Sequence, residues 1–264
     1  RGTDRVLVGM NKVTAVVLAG SRPGGDPFAQ TYGTDLKALI PVAGVPMVQR
    51  PVDALLASDR VEAIHVLAQG PGRIREVLRS DPRLKVEQSG ETIAATIEAF
   101  CFDPNMHWPL LVTTSDHALL TPGMIGEFLA KADGADVAIG LVSRDVMVKR
   151  FPQAQRTWLK FRGGAYSGAN PFFLGGPEVR PAIELWRSNE QNRKKAWRLL
   201  FSLGFIGFLA AALRLRTLHQ TLDGIGRKLR LKIRGVEMSD PLAAIDVDKP
   251  ADHELVTAIL EGRA

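Results

Sequence analysis

Short apolar runs separated by amphipathic stretches constrain this chain more than any other feature. Val13–Leu18, Val61–Ala68, Leu84–Val86, Leu110–Thr114 and Asp136–Val142 are brief and rich in aliphatic and β-branched residues. Between them, Pro46–Ala57, the stretch opening "GPGRIREVLRS", Glu91–Phe100 and Met124–Lys131 place apolar residues at helical spacing. A strand that is apolar on both faces must be covered on both faces, and intervening helices supply the cover. The alternation therefore predicts βαβ units, an α/β chain and a mostly parallel central sheet flanked by helices. In such sheets, ligands gather at the carboxyl ends of the strands. Two polar loops fall at such ends, "LAGSRPGGD" after the first run and "TTSDHALL" after the fourth.

Beyond Arg144 the rhythm changes. Thr157–Arg162 and Ala169–Leu174 read as strands around "GGAYSG", residues 178–222 as mainly helical, Leu229–Met238 as a strand and Pro250–Leu260 as a closing helix. The expectation is one domain over residues 1–264 carrying a helical insertion at 178–228.

The loop "VVLAGSRPGGDP" decides between kinds of anion site. Gly20 and Gly25 have the spacing of a Walker A loop, but Asp26 and Pro27 stand where its Lys-Ser/Thr pair belongs, and an acid there repels phosphate. The dinucleotide fingerprint fails as well, because Arg22 occupies the position where glycine lets backbone approach pyrophosphate. What remains is either a flexible turn or an anion site of another kind, bracketed by Arg22 and by Lys37 in "DLKALIPVAGVPM".

Those residues carry a resemblance. "VVLAGSRPGG…DLKALIPVAGVPMVQR", "TTSDHALLTP", "YSGANPFFL" and "AIDVDKPADHELV", in that order along the chain, resemble the signature of GT-A-fold nucleotidyltransferases. That family includes the molybdenum-cofactor guanylyl- and cytidylyltransferases and the sugar-phosphate nucleotidyltransferases. Ser21 departs from the usual second glycine, Lys249 from the usual threonine, and the stretch between Arg22 and Lys37 is long. The resemblance implies a Rossmann-like GT-A fold and Mg²⁺-dependent transfer of an NMP from an NTP to a phosphorylated acceptor, releasing pyrophosphate. CTP is the marginal choice of donor. It further implies that Arg22 and Lys37 hold the triphosphate. Leu18, Ala19, Gly20 and Ser21 would meet base and phosphates, and Gln88, Ser89, Gly90 and Thr92 the base. Such transfer needs positioned cations more than covalent help from the protein.

Asp116 ends the fourth strand, where aspartate commonly caps a turn; the resemblance makes it a Mg²⁺ ligand, in keeping with the ion's preference for one or two carboxylates. Asp246 and Asp248 are two residues apart and share a face on an extended chain. One of them is expected to be the second ligand, and the spacing does not say which. Asn170 and Lys160 are candidates for the acceptor, against the plainer readings of a turn and an exposed strand residue. Ser89 is also a candidate helix cap, and His117 a structural histidine beside the site.

Composition narrows the partners. The net charge is +6, yet residues 193–234 hold eleven Lys/Arg and one acid, leaving 34 − 11 = 23 basic and 28 − 1 = 27 acidic residues elsewhere. Basicity confined to one segment, with no recognised binding motif, gives no reason to expect nucleic acid. Within it, Leu199–Leu213 is fifteen residues without charge, flanked by cations. Three readings stand: a helix buried on the sheet, an interfacial helix on an anionic membrane surface, or a span. The second would make a lipid precursor an eligible acceptor. The single cysteine, Cys101, excludes a disulfide framework and suits a reducing compartment. The opening "RGTDRVLVGMNK" lacks the apolar core of a secretory signal. A cytoplasmic location is expected, peripheral to the inner membrane face if the interfacial reading holds. The alternatives from other classes are a non-catalytic nucleotide- or lipid-binding protein on the same fold and a GT-A glycosyltransferase. The glycosyltransferase would normally carry Asp-x-Asp after the central strand, whereas "TSDH" has one acid.

Overall fold

Burial of the apolar runs on both faces yields the expected parallel frame. The computed structural model describes residues 12–20, 26–90, 92–153, 156–190 and 216–264. The strands are β1 (Val13–Leu18), β2 (Pro41–Val42), β3 (Val45–Pro46), β4 (Val61–Ala68), β5 (Leu84–Gln88), β6 (Leu110–Thr114), β7 (Val137–Ser143), β8 (Leu159–Phe161), β9 (Gly164–Leu174) and β10 (Ile233–Glu237). The helices are α1 (Pro27–Gln30), α2 (Gln49–Leu56), α3 (Pro71–Val77), α4 (Ile93–Cys101), α5 (Pro122–Ala132), α6 (Arg144–Arg150), α7 (Arg180–Glu190), α8 (Leu218–Leu229) and α9 (Pro250–Leu260).

The main sheet runs β10-β7-β9-β6-β1-β4-β5, with β8 added to β9. Every pairing along that order is parallel except those made by β9, which is antiparallel to β6 and β7. From β1 the chain goes first to β4 and β5 on one side, then returns to β6 on the other. This reversal opens a crevice between the carboxyl ends of β1 and β6, where open α/β sheets bind ligands. Leu18 and Thr114 are register partners at its base, and the Ser115 N–H donates to the Leu18 carbonyl at 3.0 Å.

One core cluster lies under α2, α5 and α9, with Met47, Leu55, Phe128 and Val256 buried against Ala15, Val17 and Ile64 of the sheet. The opposite face carries a second cluster, in which Ile97 and Cys101 of α4 and Ile183 of α7 cover Val16, Leu110 and Val112. Burial pushes the Cys101 thiol up to about 12, so it is a packed residue and not a thiolate.

Several boundaries differ from the sequence reading. The strand expected at Leu229–Met238 begins only at Ile233, because α8 runs to Leu229 and turns at Arg230, which adopts φ 58°. α6 was not anticipated; Ser143 caps it by accepting from the Val146 N–H, and Lys149 and Arg150 suit its carboxyl end. The cap of α4 is Thr92, whose hydroxyl accepts from the Ala95 N–H, so Ser89 is not the cap. Of the insertion at 178–228, α7 and the start of α8 are helical as expected. Residues 191–215, including Leu199–Leu213, lie outside the described residues.

Candidate active site

Lys37 is delivered to the crevice by a tightly held turn. Leu36, Ala38 and Ile40 are buried, which leaves Lys37 at the rim of the core. The turn is fixed from behind. The Val48 N–H donates to Ala38 and the Met47 N–H to Ile40, at 3.0 and 2.8 Å. Ahead of α2, the β2–β3 hairpin turns through Ala43 and Gly44 at φ 47° and 75°, the backbone of a two-residue hairpin loop in which glycine is favoured. The Arg50 guanidinium clamps that loop by donating to the Val42 and Ala43 carbonyls.

The Lys37 ammonium bridges two carboxylates from remote parts of the chain. Nζ lies 2.7 Å from Asp116 Oδ2 and 2.5 Å from Asp248 Oδ1. Burial works against the charged amine, but Asp116 and then Asp248 outweigh it and hold its pKa above the ordinary lysine value. Asp116 is set by its own strand: the Thr114 hydroxyl donates to Oδ1, leaving Oδ2 for the lysine. The Val247 N–H donates to the Asp116 carbonyl at 3.1 Å, docking the 245–248 segment against the crevice. Val247 is fully buried, so Asp246 and Asp248 point the other way. Their shared face, expected for a strand, is achieved by an extended segment outside the sheet.

Asp246 and Asp248 have different partners. Asp246 Oδ1 accepts from Arg156 Nη2 at 2.7 Å, with the two side chains 23% and 20% exposed. Burial raises the Asp246 pKa, Arg156 opposes the rise, and the nearby charges of Asp116 and Asp248 add to it. Three carboxylates thus feel one another, balanced by two cations. His117 is fully buried behind them, and burial depresses its pKa to about 4 despite opposition from Asp116. Neither of its ring nitrogens makes a hydrogen bond of normal geometry, although the Leu242 backbone faces the ring. It is a neutral packing residue at physiological pH.

The other side of the crevice is the edge made by β1, β4 and β5. The Ala19 N–H donates to Leu67 and the Ser89 N–H to Ala68, so residues 18–20 and 88–90 flank the end of β4 on its two sides. Gly20 lies against the Gln69 amide, which a Cβ there would meet at 3.4 Å. Thr96 Oγ1 accepts from the Gly90 N–H and donates to Thr92, tying this edge to the first turn of α4. Ser21 and Arg22 lie outside the described residues.

The acceptor candidates separate. Asn170 is inside β9, not at a turn, and its Nδ2 is buried without a partner among the described residues. Lys160 is exposed on β8 and lines a shallow groove with Arg144 and Asp145, apart from the three carboxylates. Arg156 was not anticipated. It is a lone cation in "FPQAQRTW", and only the fold reveals its partner.

Asp116 and Asp248 fit a divalent ion of the magnesium type. They converge on one cationic point, and that ion takes one or two carboxylates and completes its shell with phosphate oxygens and water. No group of three or more His, Cys, Asp or Glu arranged for a metal exists among the described residues.

Comparison with known proteins gives a consistent picture. The family model of the MobA-like NTP transferase domain matches residues 15–203. No curated protein matches the chain. A hypothetical transferase from Thermus thermophilus is 26% identical with a TM-score of 0.76, over 92% of this chain and 99% of that one. A CMP:2-keto-3-deoxy-manno-octonic acid synthetase complexed with CTP is 14% identical with a TM-score of 0.60, over 96% of this chain and 100% of that one. A 4-diphosphocytidyl-2C-methyl-D-erythritol synthase from Anaerococcus prevotii is 10% identical with a TM-score of 0.58, over 95% and 96% of the two chains. The last two share the fold.

Proposed function

The chain belongs to the MobA-like NTP transferase domain family, and on that premise we propose that it transfers an NMP from an NTP to a phosphorylated acceptor with release of pyrophosphate. The observation that carries the reading is the Lys37 ammonium shared by Asp116 and Asp248 beside the reversal point of the sheet. Asp116 and Asp248 would hold Mg²⁺, and Asp246, engaged by Arg156, would not. The bound ion would neutralise charge on the phosphates and fix their orientation.

The protein's own groups do the rest. Lys37, on a long side chain, would turn from the carboxylates to the triphosphate, where Arg22 would join it. The carboxyl ends of β1 and β5, at residues 18–20 and 88–90, would flank the base. The acceptor phosphate attacks the α-phosphorus with an oxygen already ionised at neutral pH, so no general base is needed. The new P–O bond forms as the bond to pyrophosphate breaks in line.

CTP is the proposed donor. Support comes from two neighbours of the same fold, a CMP-sugar-acid synthetase complexed with CTP and a diphosphocytidyl-product synthase. With Mg²⁺ present, CTP is expected to raise the melting temperature more than ATP, GTP or UTP. At about a hundredfold excess over Kd the gain is about 2.7 kcal/mol, or roughly 5–10 °C for a chain of this size. If none of the four shifts the melting point, the nucleotidyltransferase reading fails; if another leads, only the base assignment does.

An anionic membrane surface is proposed as a partner of the 193–234 segment. Its support is the cation excess in the sequence and the placement of α8. Leu218 and Leu222 are buried in the body, while Arg227, Lys228 and Arg230 are exposed. No helix among the described residues is long and apolar enough to cross a membrane. The protein is expected to co-sediment with phosphatidylserine vesicles at moderate salt and not with phosphatidylcholine vesicles. Absence from both pellets would remove the membrane from this account.

A further inference from the structure

We propose that Arg156 binds the phosphate of the acceptor, and that Asp246 holds the guanidinium in place until the acceptor arrives. This rests on the nucleotidyltransferase reading and gives its second substrate a recognition group. Arg156 is mostly withdrawn from water yet spends one N–H donor, from Nη2, on Asp246. Among the described residues no other hydrogen bond from its fork is made, leaving four of five guanidinium donors for a ligand. A planar fork of this kind matches the oxygens of a phosphomonoester, which it can take bidentately. A permanent structural pair would be expected to use more of that fork.

Its position suits the attacking group. Lys37 comes from the segment after β1, Asp116 follows β6, and Arg156 comes from the segment joining α6 to β8, beyond β7. Asp116 pairs with Lys37 on one hand and feels the charge of Asp246, the partner of Arg156, on the other. In-line transfer puts the incoming oxygen and the departing pyrophosphate on opposite sides of the α-phosphorus. With Lys37 assigned to the triphosphate, Arg156 is the cation left for the attacking group. A second orphaned donor lies there too. The β6–β9 ladder ends at Val112 and Phe172. Two residues further along each strand are Thr114, which orients Asp116, and Asn170, whose buried Nδ2 has no partner among the described residues. Buried donors are rarely left unsatisfied, and a ligand oxygen would satisfy this one. Asp246 opposes any anion that approaches the unused donors of Arg156, so the phosphate must overcome that repulsion. That requirement favours a dianionic phosphomonoester over a singly charged diester.

The test is calorimetric titration of inorganic phosphate, with Mg²⁺, into wild type, Arg156→Gln, Arg156→Lys and Asp246→Asn. Each titration is run with and without α,β-methylene CTP. Arg156→Gln should weaken phosphate binding at least tenfold, Arg156→Lys should recover part of it, and Asp246→Asn should bind phosphate as tightly as wild type or more so. The affinity for the CTP analogue should stay within twofold in all of them. If Arg156→Gln takes up phosphate like wild type, or wild type takes up none, the proposal is overturned. A fall in melting temperature with phosphate affinity unchanged would likewise reduce the pair to scaffolding. If the analogue fails to bind wild type, the nucleotide reading is at fault, and the titration without it still judges Arg156.

Discussion

Replacing Asp116 by alanine is expected to lower pyrophosphate release by about a thousandfold, on the order of 4 kcal/mol of barrier. Each part of this residue is committed. Oδ1 accepts from Thr114, Oδ2 from Lys37, and the carbonyl from the Val247 N–H. The carboxylate is 20% exposed, so its charge acts where water screens it poorly. Alanine keeps the backbone contact to Val247 but removes the ion's proposed anchor. Asp116→Asn separates charge from shape, because it can still accept from Thr114 but cannot neutralise a divalent ion. It should lose nearly as much turnover as alanine while melting within a few degrees of wild type. Rates would be read as pyrophosphate release at saturating CTP. Near-normal turnover in either variant would show that the metal is held elsewhere.

Lys37→Met is expected to cost about a hundred- to a thousandfold in turnover, the usual loss when one charge-stabilising donor leaves an active site. It should also change how the protein responds to Mg²⁺ alone. In wild type the ammonium already neutralises Asp116 and Asp248, so an ion must compete with it. In the variant, the two carboxylates face each other unopposed. Mg²⁺ without nucleotide should then raise the melting temperature of Lys37→Met by more than it raises that of wild type. Equal shifts would separate the lysine from the metal position. The pH dependence follows from the raised pKa. A lysine that holds its proton more tightly when folded contributes its full stabilisation below the ordinary value of 10.5 and loses it as pH climbs through the folded value. The difference in stability between wild type and Lys37→Met should therefore be flat through neutral pH and shrink only in strong alkali.

Much of the frame was legible because buried strands write themselves as apolar runs. Val13–Leu18, Val61–Ala68 and Leu110–Thr114 have the same bounds in sequence and structure. The loops after β1 and β6 fall at a ligand edge on the alternation of strands and helices alone. Strand order could not, since nothing local to "GANPFFL" says that β9 inserts antiparallel between β6 and β7. α6 has little signal in the sequence because it is only seven residues long and Val146, Met147 and Val148 are consecutive apolar residues without helical spacing, although Ser143 and Asp145 supply a cap signal. The site shows the same division. Lys37, Asp116 and Asp248 were each expected for separate reasons, and the structure brings them together. Asp246 and Asp248 were indistinguishable by spacing, and different cations tell them apart. Arg156 had no signal at all, because its meaning depends on a carboxylate ninety residues away.

That distance has a counterpart in how the site is closed. Lys37 and Asp248 are separated by 211 residues, and the segment bearing Asp248 is seated by the Val247 bond to Asp116. The strands that position Lys37 and Asp116 are complete in sequence by Leu174, whereas Asp248 arrives from a segment that follows β10. The site is thus closed by a contact between segments far apart in the chain, and a change that unseats residues 245–248 from Asp116 would open it without touching the strands. A chain clipped ahead of Ile245 would lose Asp248 from beside Lys37 while keeping the segments that carry Lys37 and Asp116.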